Sequence, residues 1–139
     1  ILVGGLDSLV DLDLLASLLP ILRGTHDFQG FQSTGAQMEN TTRTIESIRL
    51  HPGAWTGPRA SGAHYHLEFE GDGFLYKMVR NITGSFIEIA RGRFAPEFLL
   101  HQLRAGGPFR GHCAPPQGLA LAEVYYKDGY RSNAGDGPV

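Results

Sequence analysis

Gly71-Asp72-Gly73-Phe74-Leu75-Tyr76-Lys77-Met78-Val79-Arg80-Asn81-Ile82-Thr83-Gly84-Ser85-Phe86-Ile87-Glu88-Ile89-Ala90-Arg91-Gly92 reads as one strongly punctuated helix. Asp72 stands where an N-cap acceptor is wanted, and Gly92 where a left-handed C-cap residue is wanted. Between them apolar residues recur at 75, 78, 79, 82, 86 and 89, spaced three and four apart, which is the helical period. Lys77, Arg80 and Gly84 follow at the same spacings, so they fall on one stripe beside the apolar face. Taken alone, the pattern describes a core helix with solvated basic residues and a close contact at Gly84.

Working outward, the residues just upstream alternate. Tyr65, Leu67 and Phe69 point one way, and His64, His66, Glu68 and Glu70 the other, as in a half-buried antiparallel strand over 63–70. Residues 43–51 are β-rich with imperfect alternation, which predicts a bulged strand ended by Pro52. The connection between them is rich in glycine and holds an isolated Trp55. Further back, residues 32–42 read as an exposed loop. In Gly24-Thr25-His26-Asp27-Phe28-Gln29-Gly30-Phe31, also a loop, Asp27 is suited to cap a turn and Phe28 and Phe31 to anchor it. Residues 8–22 form the first helix, with Ser8 or Asp11 as cap and a kink or second short turn at Pro20.

Downstream, Ala95-Pro96-Glu97 opens another helix, with apolar Phe98, Leu99 and Leu103. A Gly/Pro-rich loop over 105–118 follows. The nearly continuous apolar run Leu119 to Tyr126 predicts a strand near the middle of a sheet. Residues 127–139 read as a disordered polar tail, leaving one folded unit over 1–126. Helix, strand, strand, helix, helix, strand describes an α+β fold: a mainly antiparallel sheet with helices packed on one face.

Composition narrows the chemistry. The 139 residues are 42% hydrophobic with a net charge of −2, so any nucleic-acid site must be a local basic patch. No apolar run is long enough to span a membrane. A single cysteine gives no internal disulfide framework and fits a reducing compartment, so a cytoplasmic location is expected, with an organelle as the alternative. Ile1-Leu2-Val3-Gly4-Gly5 shows neither an initiator methionine nor a signal-peptide layout, and reads as the start of a piece cut from something longer. His64 and His66 share a strand face and, with His112 or Cys113, are zinc-ligand types. Structural-zinc spacing is absent, so no metal is expected.

Three segments taken together resemble the tRNA pseudouridine synthase A family, in the carboxyl-terminal half of its catalytic domain. They are Gly24 to Phe31, Phe74-Leu75-Tyr76-Lys77-Met78-Val79-Arg80-Asn81-Ile82-Thr83-Gly84, and Ala114-Pro115-Pro116-Gln117-Gly118-Leu119-Ala120-Leu121, in the family's order over roughly 11–126. Arg43-Thr44-Ile45 matches a family strand start. The resemblance implies half of a pseudouridine synthase fold and the isomerisation of uridine in tRNA, with neither cofactor nor metal. The target base is flipped into a cleft. It implies that Arg80 pairs with a catalytic aspartate, keeping it ionised and oriented, and that Leu119 packs in the uracil pocket. His26, Arg43, Lys77 and Arg91 are candidates for RNA contact.

The family's aspartate lies in a Gly-Arg-Thr-Asp-Ala-Gly segment of the amino-terminal half, and none of the seven aspartates here has that context. The family's base-stacking tyrosine belongs to that half too, and Tyr76, a helix position, does not stand in for it. The chain is therefore expected to supply half of an active site and to be inactive alone. Its partners would be tRNA, the amino-terminal half and, as in the family, possible homodimerisation. The alternative is a non-catalytic RNA-binding or protein-interaction module with the same fold.

Overall fold

The computed structural model describes residues 2–6, 11–33, 40–52, 65–113, 119–121, 123–125 and 131–133, with backbone alone for 2–6, 52 and everything from 119 onward. The elements in order are β1 (Leu2–Leu6), α1 (Leu12–Leu18), a 3-10 turn (Leu19–Leu22) and β2 (Gly24–Asp27). A second 3-10 turn (Gln29–Phe31), β3 (Thr42–Pro52) and β4 (Tyr65–Gly71) follow. The chain continues through α2 (Met78–Ala90), α3 (Phe98–Ala105), β5 (Leu119–Leu121), β6 (Glu123–Tyr125) and β7 (Arg131–Asn133). Among the described residues, five strands form one sheet in the order β2-β3-β4-β1-β5. Every neighbouring pair in it is antiparallel. No described helix is long and apolar enough to cross a membrane.

The core lies on one face of this sheet. Leu67 and Phe69 of β4 are fully buried with Phe86 and Ile82 of α2, Leu15 and Leu18 of α1, Leu99 of α3, and Phe28 and Phe31. Each such side chain contributes roughly 1.5–3 kcal/mol by leaving water. His66, Glu68 and Glu70 stand on the opposite face and are only half-buried. Arg49, exposed, reaches Glu68 at 3.6 Å and Glu70 at 3.9 Å. Exposed pairs of this kind add little stability.

The central helix differs from the sequence expectation at its start. Asp72 does not cap it. The Asp72 carboxylate accepts the Thr44 N–H at 2.8 Å, while its own N–H donates to the Thr44 carbonyl at 3.1 Å. Asp72 thus closes the β3–β4 pair, and α2 begins six residues later, at Met78. Gly71 is required in that corner, because a Cβ would run into the Thr44 carbonyl oxygen. All six apolar positions read from the period are buried: 75, 78, 79, 82, 86 and 89. Asn81, Ser85 and Glu88 are buried as well, and within α2 only Arg80 and Ile87 escape full burial. So α2 is a central helix with one narrow opening, not an amphipathic helix with a basic stripe; Gly84 is buried and Lys77 precedes the helix.

The other end of α2 follows the expectation. Gly92 takes φ +80, its N–H donates to Ile89 at 2.9 Å, and the Arg93 N–H donates to Glu88 at 2.8 Å. These are the two bonds of a Schellman closure.

Elsewhere Asp11, not Ser8, is the described cap of α1, accepting the Leu14 N–H at 3.2 Å. Pro20 sits in the first 3-10 turn, where its missing N–H costs nothing. The β3 bulge falls between Ile45 and Ser47. Pro96 lies just ahead of α3, in a turn where the Leu99 N–H donates to its carbonyl.

Three further expectations change. Gly24–Asp27 is an edge strand and not a loop, because it pairs with Thr42–Ile45 of β3. Leu119 to Tyr126 is not a central strand. Leu119–Leu121 pairs with β1 at the sheet's other edge, and Glu123–Tyr125 pairs with β7 in a separate two-stranded sheet. Arg131–Asn133, within the segment read as a disordered tail, is strand β7. The connection holding Trp55, and His64, lie outside the described residues.

Candidate active-site wall at the opening of α2

The residues leading into α2 are held from two sides. Phe74 and Leu75 turn inward, and the Met78 N–H closes on the Leu75 carbonyl at 3.0 Å. Lys77 occupies the N-cap position with φ +58, so its backbone is left-handed and its side chain makes no cap. Its carbonyl takes the first helical bond, from the Asn81 N–H at 2.9 Å.

Asn81 joins this opening to the segment ending at Phe31 and Ser33. It is fully buried, and its side-chain amide donates to the Phe31 carbonyl at 2.7 Å and to Ser33 Oγ at 3.2 Å. The Ser33 N–H in turn donates to the Tyr76 carbonyl at 3.2 Å. Two segments about fifty residues apart are therefore locked together. A buried amide left without these partners would cost about 1–3 kcal/mol.

Arg80 follows Lys77 in the first turn of α2. Its neighbours Val79 and Asn81 are buried, and Arg80 itself is half-buried. A guanidinium fixed to a central, buried helix at its one opening can orient a carboxylate or neutralise a phosphate at a defined place.

The preceding turn is built as its residues suggest. Asp27 accepts the Gln29 N–H at 3.0 Å and the Thr41 hydroxyl, and Phe28 and Phe31 are fully buried. Gln102 of α3 secures the same turn, donating to the Gly30 carbonyl at 2.7 Å and the Pro108 carbonyl at 3.1 Å. Gly30 permits that approach, since a Cβ there would strike the Gln102 carbonyl.

Two sequence candidates lie on the paired strands β2 and β3. His26 and Arg43 sit opposite one another in the β2–β3 register. His26 Nε2 is 2.9 Å from the Arg23 carbonyl, and its ring meets Phe28 edge-on at 5.6 Å. Arg43 Nη1 donates to the carbonyls of Asn40 and Thr42, and its Nε would lie 3.6 Å from a Cβ on Gly73. Arg43 therefore borders the approach to α2, whose last residues are Tyr76 and Lys77.

Arg91 does not join this group. It is the C-cap residue of α2, eleven residues and roughly 16 Å along the axis from Arg80. Leu119 lies on the edge strand β5, opposite Gly4. Among the described residues no three His, Cys, Asp or Glu side chains are grouped to hold a metal.

Asn81, Ser33 and Gln102 were not singled out from the sequence. Asn81 had a signal: Asn81, Ser85 and Glu88 recur at helical spacing inside an apolar stretch, which marks a second, polar buried face.

Residues 20–127 match the sequence profile of the tRNA pseudouridine synthase family. The chain is 36% identical over 120 residues to tRNA pseudouridine synthase A of Streptococcus mutans, covering 86% of this chain and 46% of that protein. It is 39% identical over 107 residues to the Maridesulfovibrio salexigens protein of that name (74% of this chain, 36% of that protein). With the Chlamydia trachomatis protein the identity is 38% over 114 residues, 79% of this chain and 39% of that one. The chain thus spans less than half the length of these relatives. The matched region takes in the Asn81-linked opening and Arg80, and on that match the chain belongs to the tRNA pseudouridine synthase family.

Proposed function

We propose that this chain supplies one wall of a tRNA pseudouridine synthase active site, the carboxyl-terminal half, and that the catalytic aspartate comes from a segment outside these 139 residues. The observation that carries this is the placement of Arg80. It is the one charged side chain of α2 outside the buried interior, at an opening fixed by Asn81. Held there, the guanidinium would keep an approaching aspartate ionised and aim it at the flipped uridine's sugar.

The described aspartates have other work. Asp11 caps α1, Asp27 holds the Gln29 turn, and Asp72 closes the β3–β4 corner. Asp13 lies exposed in the first turn of α1.

In this proposal Leu119 lines the uracil pocket, and His26, Arg43 and Lys77 meet the RNA backbone near Arg80. Arg91 would meet it only if the RNA ran the length of α2. No cofactor takes part. The partners are tRNA and the aspartate-bearing half, with homodimerisation as in the family, and the compartment is the cytoplasm.

Incubation of the purified chain with a tRNA transcript tritiated at uridine C5 tests the division of labour. Isomerisation releases that tritium; the expected result is RNA binding without release. Release at the rate of an intact synthase would overturn the proposal.

A further inference from the structure

The approach to α2 leaves one aromatic ring in solvent. Tyr76 is 45% exposed, and Leu100 is the other large hydrophobic side chain so placed among the described residues. The backbone beneath the ring is not loose, because the Tyr76 carbonyl is held by the Ser33 N–H and Ser33 Oγ is held by buried Asn81. Lys77 places its Nζ 5.2 Å from the centre of the Tyr76 ring.

Lys77 is also the one described non-glycine residue with positive φ. A side chain is disfavoured in that conformation, and glycine adopts it freely. The chain uses glycine at its other described positive-φ positions, Gly24, Gly73, Gly92, Gly106 and Gly107. A turn needed only for its shape would be served by glycine here too. What Lys77 adds is an ammonium group over one face of a half-exposed ring.

That pair suits a nucleotide. The face of the ring away from Lys77 can stack a base of any identity, while the ammonium meets the adjoining phosphate. A carboxylate ligand would use the charge and leave the ring idle. Tyr76 precedes by four residues Arg80, the group proposed to hold the aspartate at the reacting sugar, so the nucleotide it takes is one that flanks the target.

We propose that Tyr76 and Lys77 form a stacking platform for one unpaired nucleotide flanking the modified uridine; the platform rests on the tRNA reading only for which RNA is bound. The test measures binding of single-stranded hexauridylate and of an unmodified tRNA transcript to the 139-residue chain across a salt series, alongside thermal melts. Tyr76→Phe is expected to bind hexauridylate as the parent does, and Tyr76→Ser about tenfold more weakly. Lys77→Gly is expected to melt several degrees higher, through lost strain, yet to bind more weakly with a salt slope shallower by about 0.7.

Parent-like binding by Tyr76→Ser or Lys77→Gly would overturn the platform, as would a lower melting temperature for Lys77→Gly or no binding of either RNA by the parent. Tyr76-dependent hexauridylate binding with no tighter binding of tRNA would keep the platform and remove the tRNA reading. Tight tRNA binding indifferent to both residues would do the reverse.

Discussion

The two ends of α2 are built on opposite terms. At its C-terminus Gly92 supplies the left-handed residue, two backbone bonds close the helix, and exposed Arg93 reaches buried Glu88 at 3.3 Å. At its N-terminus a left-handed residue is again present, but it is Lys77, with no side-chain cap. One end uses the cheapest residue for its geometry. The other keeps a cation in a conformation that glycine adopts more freely, three residues before Arg80. Among the described residues Lys77 is the one non-glycine in left-handed backbone, so the strain sits at the end that carries the proposed site.

The comparison can be broken at several points. Phe86 is fully buried near the middle of α2 and anchors both ends. Phe86→Ala should cost about 3–5 kcal/mol in a denaturant titration and loosen both ends together. A loss confined to one end, seen by amide hydrogen exchange, would show that α2 is not one cooperative unit.

Asn81→Ala should act on the opening alone. It removes the bonds to Phe31 and Ser33, but also an Oδ1 that has no partner among the described residues. The expected net cost is about 1–2 kcal/mol, with faster exchange in residues 74–80 and unchanged exchange near 88–93.

Gly92→Ala should destabilise by about 1 kcal/mol, because alanine at φ +80 is strained while a Cβ meets nothing within 4 Å. Set beside the stabilisation expected of Lys77→Gly, it gives opposite signs at the two ends; equal signs would refute the comparison. The smallest effect belongs to Arg93→Ala. With 64% of the Arg93 side chain exposed, loss of its contact with Glu88 should lower the unfolding free energy by only about 0.5 kcal/mol.

The sequence revealed the interior of α2 because burial there follows a period, and all six apolar positions are core. It revealed Gly92 because few residues can end a helix that way. The start was misread because an aspartate before a helix and an aspartate closing a strand pair look alike; only the distant Thr44 backbone decides which Asp72 is. Edge strand β2 was hidden for the same reason, since four polar-rich residues become a strand only by pairing with β3. Arg80 was legible through a motif, but its setting was not. The near-complete burial of α2 around it depends on α1, the sheet and the Phe28–Phe31 turn all converging on one helix.

Arg80 itself offers the most direct test. The measurement is tritium release from uridine-labelled tRNA by this chain joined to an aspartate-bearing amino-terminal half, with and without Arg80→Ala, alongside thermal melts of both. The account expects turnover by the joined protein and a loss of at least about a hundredfold on substitution, with the melting temperature little changed because Arg80 is half-buried at the helix opening. Turnover that survives Arg80→Ala, in a protein that still binds tRNA, would contradict it.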